Sequence, residues 1–246
     1  MEFYRRYMYS KFVCFLGVIF MIIKTNSTVF NVNADCIVNT INCDGFMGKG
    51  LALEFSLRYP KLNKIYQDQA KRKELHTGKV YFYEIDGQKM INFPTKYHFQ
   101  FPSKYEWIEE GLVHFVSIYK ELNINSIAFP LLGARNGELD PQQVIQIMEK
   151  HLSLLDIDVY ICYSSELAGK EKEMVDSFKS FNLLLLKDII RLNKVQLESL
   201  NEGKGKIKRF YEIMSLPKIG VETYKKIFNY FYNLNENEIY IQDTLF

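Results

Sequence analysis

Two glycine-rich stretches and one lysine carry the residues of this sequence that can do chemistry. The first stretch is Val38-Asn39-Thr40-Ile41-Asn42-Cys43-Asp44-Gly45-Phe46-Met47-Gly48-Lys49-Gly50. A branched, apolar run ends in Asn39 and Asn42, glycines follow at 45, 48 and 50, and a helical period begins at Leu51. Glycine lets backbone N–H groups approach an anion closely, and the start of a helix favours negative charge. An asparagine amide both donates and accepts, which suits sugar hydroxyls. The chemistry fits a ligand that joins phosphate to ribose, while a tight strand-to-helix turn accounts for the same glycines without one. The stretch is neither the dinucleotide fingerprint G-x-G-x-x-G nor a P-loop, because Lys49 is followed by Gly50 rather than by Ser or Thr.

The second stretch is Phe129-Pro130-Leu131-Leu132-Gly133-Ala134-Arg135-Asn136-Gly137-Glu138-Leu139-Asp140. Again a buried strand runs into a glycine-containing loop and then a helix. Two such loops at the ends of neighbouring parallel strands can hold a pyrophosphate from both sides. Glu138 and Asp140 are expected to cap the following helix, whose N-terminus favours carboxylates. The lysine is Lys96, just past the apolar strand in Ile91-Asn92-Phe93-Pro94-Thr95-Lys96. A surface role is the ordinary reading of any lysine. One that is partly desolvated near bound phosphates acts instead as a nucleophile or electrostatic catalyst.

These residues need a scaffold, and the chain supplies alternating strands and helices. Short branched runs mark strands at Met21–Lys24, Cys36–Asn39, Lys79–Ile85, Lys89–Phe93, Ser126–Pro130 and Asp158–Tyr163. Helical periods lie at 50–59, 108–122 and 141–155, with Pro141 suited to a first turn. The alternation predicts an α/β sheet with helices on both faces, and ligands bind such sheets outside the strand ends. After Ser165 the pattern becomes helical: 166–180, a further amphipathic helix over 181–200, a break at 201–205, and two short helices around Leu216-Pro217-Lys218-Ile219-Gly220.

With 246 residues and 48% hydrophobic content the chain is globular in composition. A formal net charge of +2 gives no global field toward nucleic acid or acidic lipid. Cys14, Cys36, Cys43 and Cys162 have no metal-ligand spacing and read as reduced thiols of a cytoplasmic protein. The histidines, His76, His98, His114 and His151, are scattered, so no metal and no cofactor is implied. Arg5, Arg6 and Lys11 precede an apolar run over 12–23 that is too short to span a bilayer. We read residues 1–20 as an upstream extension or tail, with Met21 as the natural start and no membrane partner.

Taken together, four linked motifs resemble a known family. They are Asn39 through Phe55, Ile91 through Lys96, Pro102-Ser103 with Ile108-Glu109-Glu110-Gly111-Leu112, and Pro130 through Asp140. In order and spacing over residues 21–165 they are similar to the DarG-type branch of macrodomains, DNA ADP-ribosyl glycohydrolases that act as antitoxins to DarT toxins. The resemblance implies a three-layer α/β/α macrodomain with a mixed central sheet, followed by a small helical C-terminal region at 166–246. It also implies removal of ADP-ribose from thymidine bases in DNA, with ADP-ribose and ADP-ribosylated DNA as ligands and a DarT-like toxin as partner. By the same resemblance Lys96 is catalytic. Asn39, Asn42, Gly45, Met47, Gly48, Lys49, Gly50, Thr95, Gly133, Ala134, Arg135, Asn136 and Gly137 hold ADP-ribose.

The chain departs from the family pattern at three places. Ser27-Thr28 replace a Gly-Asp pair that meets adenine, Arg135 replaces a loop glycine, and Pro141 replaces a tryptophan. Arg135 either adds a phosphate contact or crowds the pocket. Residues 207–231 are similar to a helix-hairpin-helix, in which Lys218 and Gly220 would face a DNA phosphate. A basic stretch including Lys204, Lys206, Lys208 and Arg209 surrounds it, and a small capping bundle is the other reading. Two classes of function stay open: an enzyme that hydrolyses the N-glycosidic bond of ADP-ribosylated DNA or protein, and an ADP-ribose-binding module without turnover.

Overall fold

The computed structural model describes residues 8–15 and 18–234, with side chains from Phe20 onward. The chain divides after Glu166 into two compact units. In the first, seven strands form one sheet: β1 (Met8–Phe15), β2 (Val18–Thr25), β3 (Cys36–Asn42), β4 (Tyr81–Ile85), β5 (Gln88–Lys96), β6 (Ser126–Pro130) and β7 (Asp158–Cys162). Their spatial order is β1-β2-β7-β6-β3-β5-β4. The five central strands are parallel, and β1 and β4 are the antiparallel edges. The sheet is therefore mixed.

Alternation along the central strands explains why both faces are covered. Cys36, Val38, Ile91, Phe93, Ile127, Phe129 and Ile161 enter one core, together with Ile108, Leu112 and Phe115 of α3 (Tyr105–Ile118) and Val144, Met148 and Leu152 of α4 (Pro141–Leu152). The intervening residues Ile37, Met90, Ala128 and Cys162 enter a second core with Phe55 of α1 (Gly50–Arg58) and Leu62 of α2 (Pro60–Lys71). A strand buried on both sides reads as a continuous apolar run, which is how β3, β5 and β6 look in the sequence. The result is three layers, α/β/α. At Gly111 the helix meets the sheet so closely that an added Cβ would lie 2.4 Å from the Phe93 ring.

Several elements differ from the sequence expectation. Met8–Phe15, read as part of an extension or tail, pairs antiparallel with β2; residues 1–7 and 16–17 lie outside the described residues. Helix α2 was not expected. Tyr59-Pro60 looks like a break, yet Pro60 occupies the first turn, where its missing N–H costs nothing, and only Leu62 and Tyr66 mark the buried side. Strand β5 continues through Pro94 to Lys96, so Lys96 ends the strand rather than following it.

The second unit contains α5 (Gly169–Ser180), α6 (Leu183–Ile190), α7 (Lys194–Gly203) and α8 (Val221–Asn233). The single helix expected over 181–200 is two. Arg191 takes a left-handed conformation at φ 58°, and Asn193 and Gln196 form a reciprocal capping box that starts α7. Phe210–Ser215 is a 3₁₀ segment rather than an α-helix. Edge-on aromatic contacts join Phe178, Phe210, Phe228 and Phe231 in the core of this unit. Residues 235–246 of the expected helical region lie outside the described residues. Among the described residues no helix is long and apolar enough to cross a membrane.

Candidate functional site

A cleft of about 600 Å³ opens in the first unit, lined by both glycine loops. Thr40, Ile41 and Asn42 of β3, Thr95 and Lys96 of β5, Pro130 of β6 and Cys162 of β7 reach it. All lie at the carboxyl ends of parallel strands, where open α/β sheets bind ligands.

The first loop is held by side chains that hydrogen-bond its backbone. Asn42 Nδ2 donates to the Phe46 carbonyl at 2.7 Å, and Asn42 Oδ1 accepts from the Asp44 and Phe46 amides at 3.0 and 3.3 Å. The Tyr66 hydroxyl, from α2, donates toward Asn42 O and Oδ1 at 2.8 and 2.9 Å. Burial pushes the Tyr66 hydroxyl pKa well above its ordinary value, so it stays a donor. Asn42 therefore lines the cleft, but its amide chiefly shapes the loop. Gly50 opens α1 at φ 57°, and an added Cβ there would lie 2.8 Å from Asn136 Nδ2. The two loops meet at that point.

The second loop folds on itself. Leu139 N donates to Gly133 O at 3.1 Å, and Ser103 N donates to Gly137 O at 2.9 Å. A Cβ on Gly137 would sit 2.3 Å from both Gly133 O and Ser103 Oγ, so only glycine fits. Arg135 Nη2 donates to the carbonyls of Tyr163 and Ser164 at 2.9 and 2.8 Å. The guanidinium thus ties the loop to the end of β7 while remaining on the cleft wall. Asp140 caps α4 as expected, accepting from Gln143 N at 2.9 Å. Glu138 does not cap; it sits at φ 64° and faces the cleft.

Lys96 is half-buried, with Nζ 3.4 Å from the Phe99 carbonyl. Burial lowers its pKa from the ordinary lysine value of 10.5; the Glu138 carboxylate opposes that shift and the Lys49 cation adds to it. The arrangement presents a partly desolvated amine beside two loops rich in close-approach backbone.

Of the residues expected to hold ligand, the cleft takes in Asn42, Gly48, Lys49, Gly50, Thr95, Gly133, Arg135, Asn136 and Gly137. It leaves out Asn39, Gly45, Met47 and Ala134. Asn39 is fully buried, and its amide donates to Asn92 Oδ1 at 2.9 Å. Met47 packs with Ile41 and Tyr66, Gly45 lies against Ala70, and Ala134 packs against the larger core. Thr28 is buried away from the cleft wall. Sequence reasoning missed Phe46, Phe99, Gln100, Glu138, Tyr163 and Ser164, which line the cleft. The aromatic run Tyr97–Phe101 directly after Lys96 was the available signal for Phe99 and Gln100. Among the described residues no cluster of His, Cys, Asp and Glu could hold a metal ion, and Cys36, Cys43 and Cys162 are free thiols.

In the second unit, Lys218 is exposed at φ 63° and Gly220 is the N-cap of α8. The left-handed turn is where a hairpin glycine would stand. The basic stretch before it is partly spent internally. Arg209 pairs with the buried Glu171 carboxylate at 2.7 Å, and Lys204 Nζ donates to Phe181 O at 2.5 Å.

The Macro domain family model matches residues 38–148. Over 146 residues the chain is 40% identical to a DNA ADP-ribosyl glycohydrolase of Mycobacterium tuberculosis, covering 57% of this chain and 42% of that protein. The chain therefore spans about two fifths of that relative's length. The solved macrodomain of Mycobacterium tuberculosis DarG superposes with a TM-score of 0.56 at 39% identity, covering 58% of this chain and 97% of that one. Thermosipho africanus DarTG, solved in complex with ADP-ribose, gives a TM-score of 0.55 at 31% identity, covering 57% of this chain and 41% of that one.

Proposed function

The chain belongs to the macrodomain family, and on that premise we propose that it is an ADP-ribosyl glycohydrolase that frees DNA bases, thymidine foremost, from ADP-ribose. The observation that carries this reading is the position of Lys96. Its amine, partly stripped of water, ends β5 in the same cleft as both glycine loops. The likeness to DNA ADP-ribosyl glycohydrolases and to a DarTG bound to ADP-ribose supports the choice of ligand and bond.

Backbone amides of Gly48–Gly50 and Gly133–Gly137 hold the diphosphate, with the N-terminus of α1 adding partial positive charge. That grip leaves the distal ribose between the loops and its anomeric carbon toward Lys96. The neutral amine attacks this carbon, the bond to the base nitrogen breaks, and the base departs with the proton the amine gives up. Water then adds to the anomeric carbon, releasing ADP-ribose and restoring the amine. Desolvation serves this route because it lowers the pH at which Nζ carries a lone pair. A hydrolase of this kind reverses DNA ADP-ribosylation in the cytoplasm and is the antitoxin of a DarT-like toxin.

The test is release of ADP-ribose from ADP-ribosylated single-stranded DNA by wild type and Lys96→Ala. The variant is expected to lose roughly 10²–10⁴-fold in rate, the range for removal of a positioned catalytic group, while still binding ADP-ribose. A variant as active as wild type would remove Lys96 from the reaction. A wild type that binds without releasing product would leave a binding module instead.

A further inference from the structure

Four large rings beside the cleft stand in solvent. Phe46 is 51% exposed, Tyr97 51%, Phe99 45% and Phe101 59%. Apolar residues exposed singly are ordinary, but these gather in two ring groups. The Phe46 and Phe99 centroids are 5.0 Å apart, Tyr97 lies 4.7 Å from the His98 ring, and His98 lies 5.8 Å from Phe101. Phe46 and Phe99 also line the cleft, and Tyr97, His98 and Phe101 flank Phe99 in the same segment.

The rings are braced from below. Asp44 Oδ1 lies 2.8 Å from His98 Nδ1, and Asp44 Oδ2 accepts from Phe99 N at 2.8 Å. Phe101 N donates to His98 O at 3.2 Å. These bonds join the segment after β5 to the first glycine loop and present the rings outward. Lysines outnumber carboxylates in these two segments. Lys49, Lys96 and Lys104 belong to these two segments, whose single carboxylate, Asp44, is already engaged.

Exposed aromatic faces next to cations suit unpaired nucleobases, whose faces are open to stacking and whose phosphates seek lysine. Bases inside a duplex already stack on each other. Resting on the reading of the cleft as the seat of a DNA-linked ADP-ribose, we propose that Phe46, Tyr97, Phe99 and Phe101 form a stacking platform for the unpaired bases beside the modified nucleotide. The cleft reads the ADP-ribose, and the platform holds the strand that carries it. Phe46 and Phe99, on the cleft wall, are the rings nearest a nucleotide seated there.

The experiment compares the full chain with Tyr97→Ala/Phe101→Ala, a pair outside the cleft wall. The probes are a short unmodified thymidine oligomer, an abasic oligomer of equal length and charge, and free ADP-ribose. By anisotropy at low salt, wild type should bind the base-bearing oligomer about tenfold tighter than the abasic one. The double variant should lose that preference, and Tyr97→Trp/Phe101→Trp should keep it. ADP-ribose affinity by calorimetry should be equal in wild type and the alanine pair. Equal binding of both oligomers by wild type, or a preference that survives the alanine pair, overturns the platform. Absence of ADP-ribose binding by wild type overturns the reading of the cleft, and is scored separately from the oligomer comparison.

Discussion

The two glycine loops face one cleft but are built by different means. The first is shaped by side chains reaching in from afar: Tyr66 from α2, and Asn42 acting on its own turn, with Asp44 binding the segment after β5. The second is shaped by close backbone contact that only glycine permits, with Arg135 and the Ser103 amide as its long-range tethers. The contrast teaches that similar glycine content does not mean similar tolerance. A loop held by hydrogen bonds yields gradually as each is removed, whereas one held by absent side chains fails at the first added atom.

The largest effect should therefore come from Gly137→Ala. Its methyl would fall 2.3 Å from the Gly133 carbonyl and from Ser103 Oγ, so the second loop must open. Crowding of this kind costs about 1–3 kcal/mol of stability, seen as a lower unfolding midpoint. ADP-ribose affinity should fall further than that loss implies, because the loop's amides no longer converge. An unchanged affinity would show that the second loop does not hold the diphosphate. Next in size is Tyr66→Phe, which removes the donor to Asn42 O and Oδ1, at about 0.5–1.5 kcal/mol, while Oδ1 keeps the Asp44 and Phe46 amides. It should weaken ADP-ribose binding several-fold by titration. A variant that binds as tightly as wild type would mean that Asn42 holds the first loop unaided.

A smaller effect separates the loops by charge. Lys96 has a lowered pKa, so its neutral fraction grows as pH rises toward that value. The hydrolysis rate should rise with pH and level off below 10.5. Glu138, from the second loop, pulls the pKa back up. Glu138→Gln should therefore lower it further and move the rate profile to lower pH. A rate that falls as pH rises through this window would assign the work to the charged ammonium instead.

Much of this was legible in the sequence because it rests on local rules. Continuous apolar runs located the buried parallel strands, Asp140-Pro141 located a helix start, and the glycines located both loops. What stayed hidden depends on distant partners. Asn39 looks like Asn42 in the sequence, yet Asn39 turns inward to Asn92 while Asn42 reaches the cleft wall. The alternation of β3 sends neighbours to opposite faces, and the partner strand decides which face carries the amide pair. Glu138 and Asp140 both looked like caps; the left-handed turn at Glu138 sends one of them to the cleft. Arg135 read as a phosphate ligand or an obstruction, and its two carbonyl acceptors come from residues 28 and 29 positions away.

The central claim is that two loops grip a nucleotide sugar with the Lys96 amine facing its anomeric carbon. Calorimetric titration of free ADP-ribose into wild type, Lys96→Ala and Gly137→Ala tests it most directly. Wild type and Lys96→Ala should each bind at one site, and Gly137→Ala should lose that binding. No heat from wild type, or equal binding by all three, would contradict it.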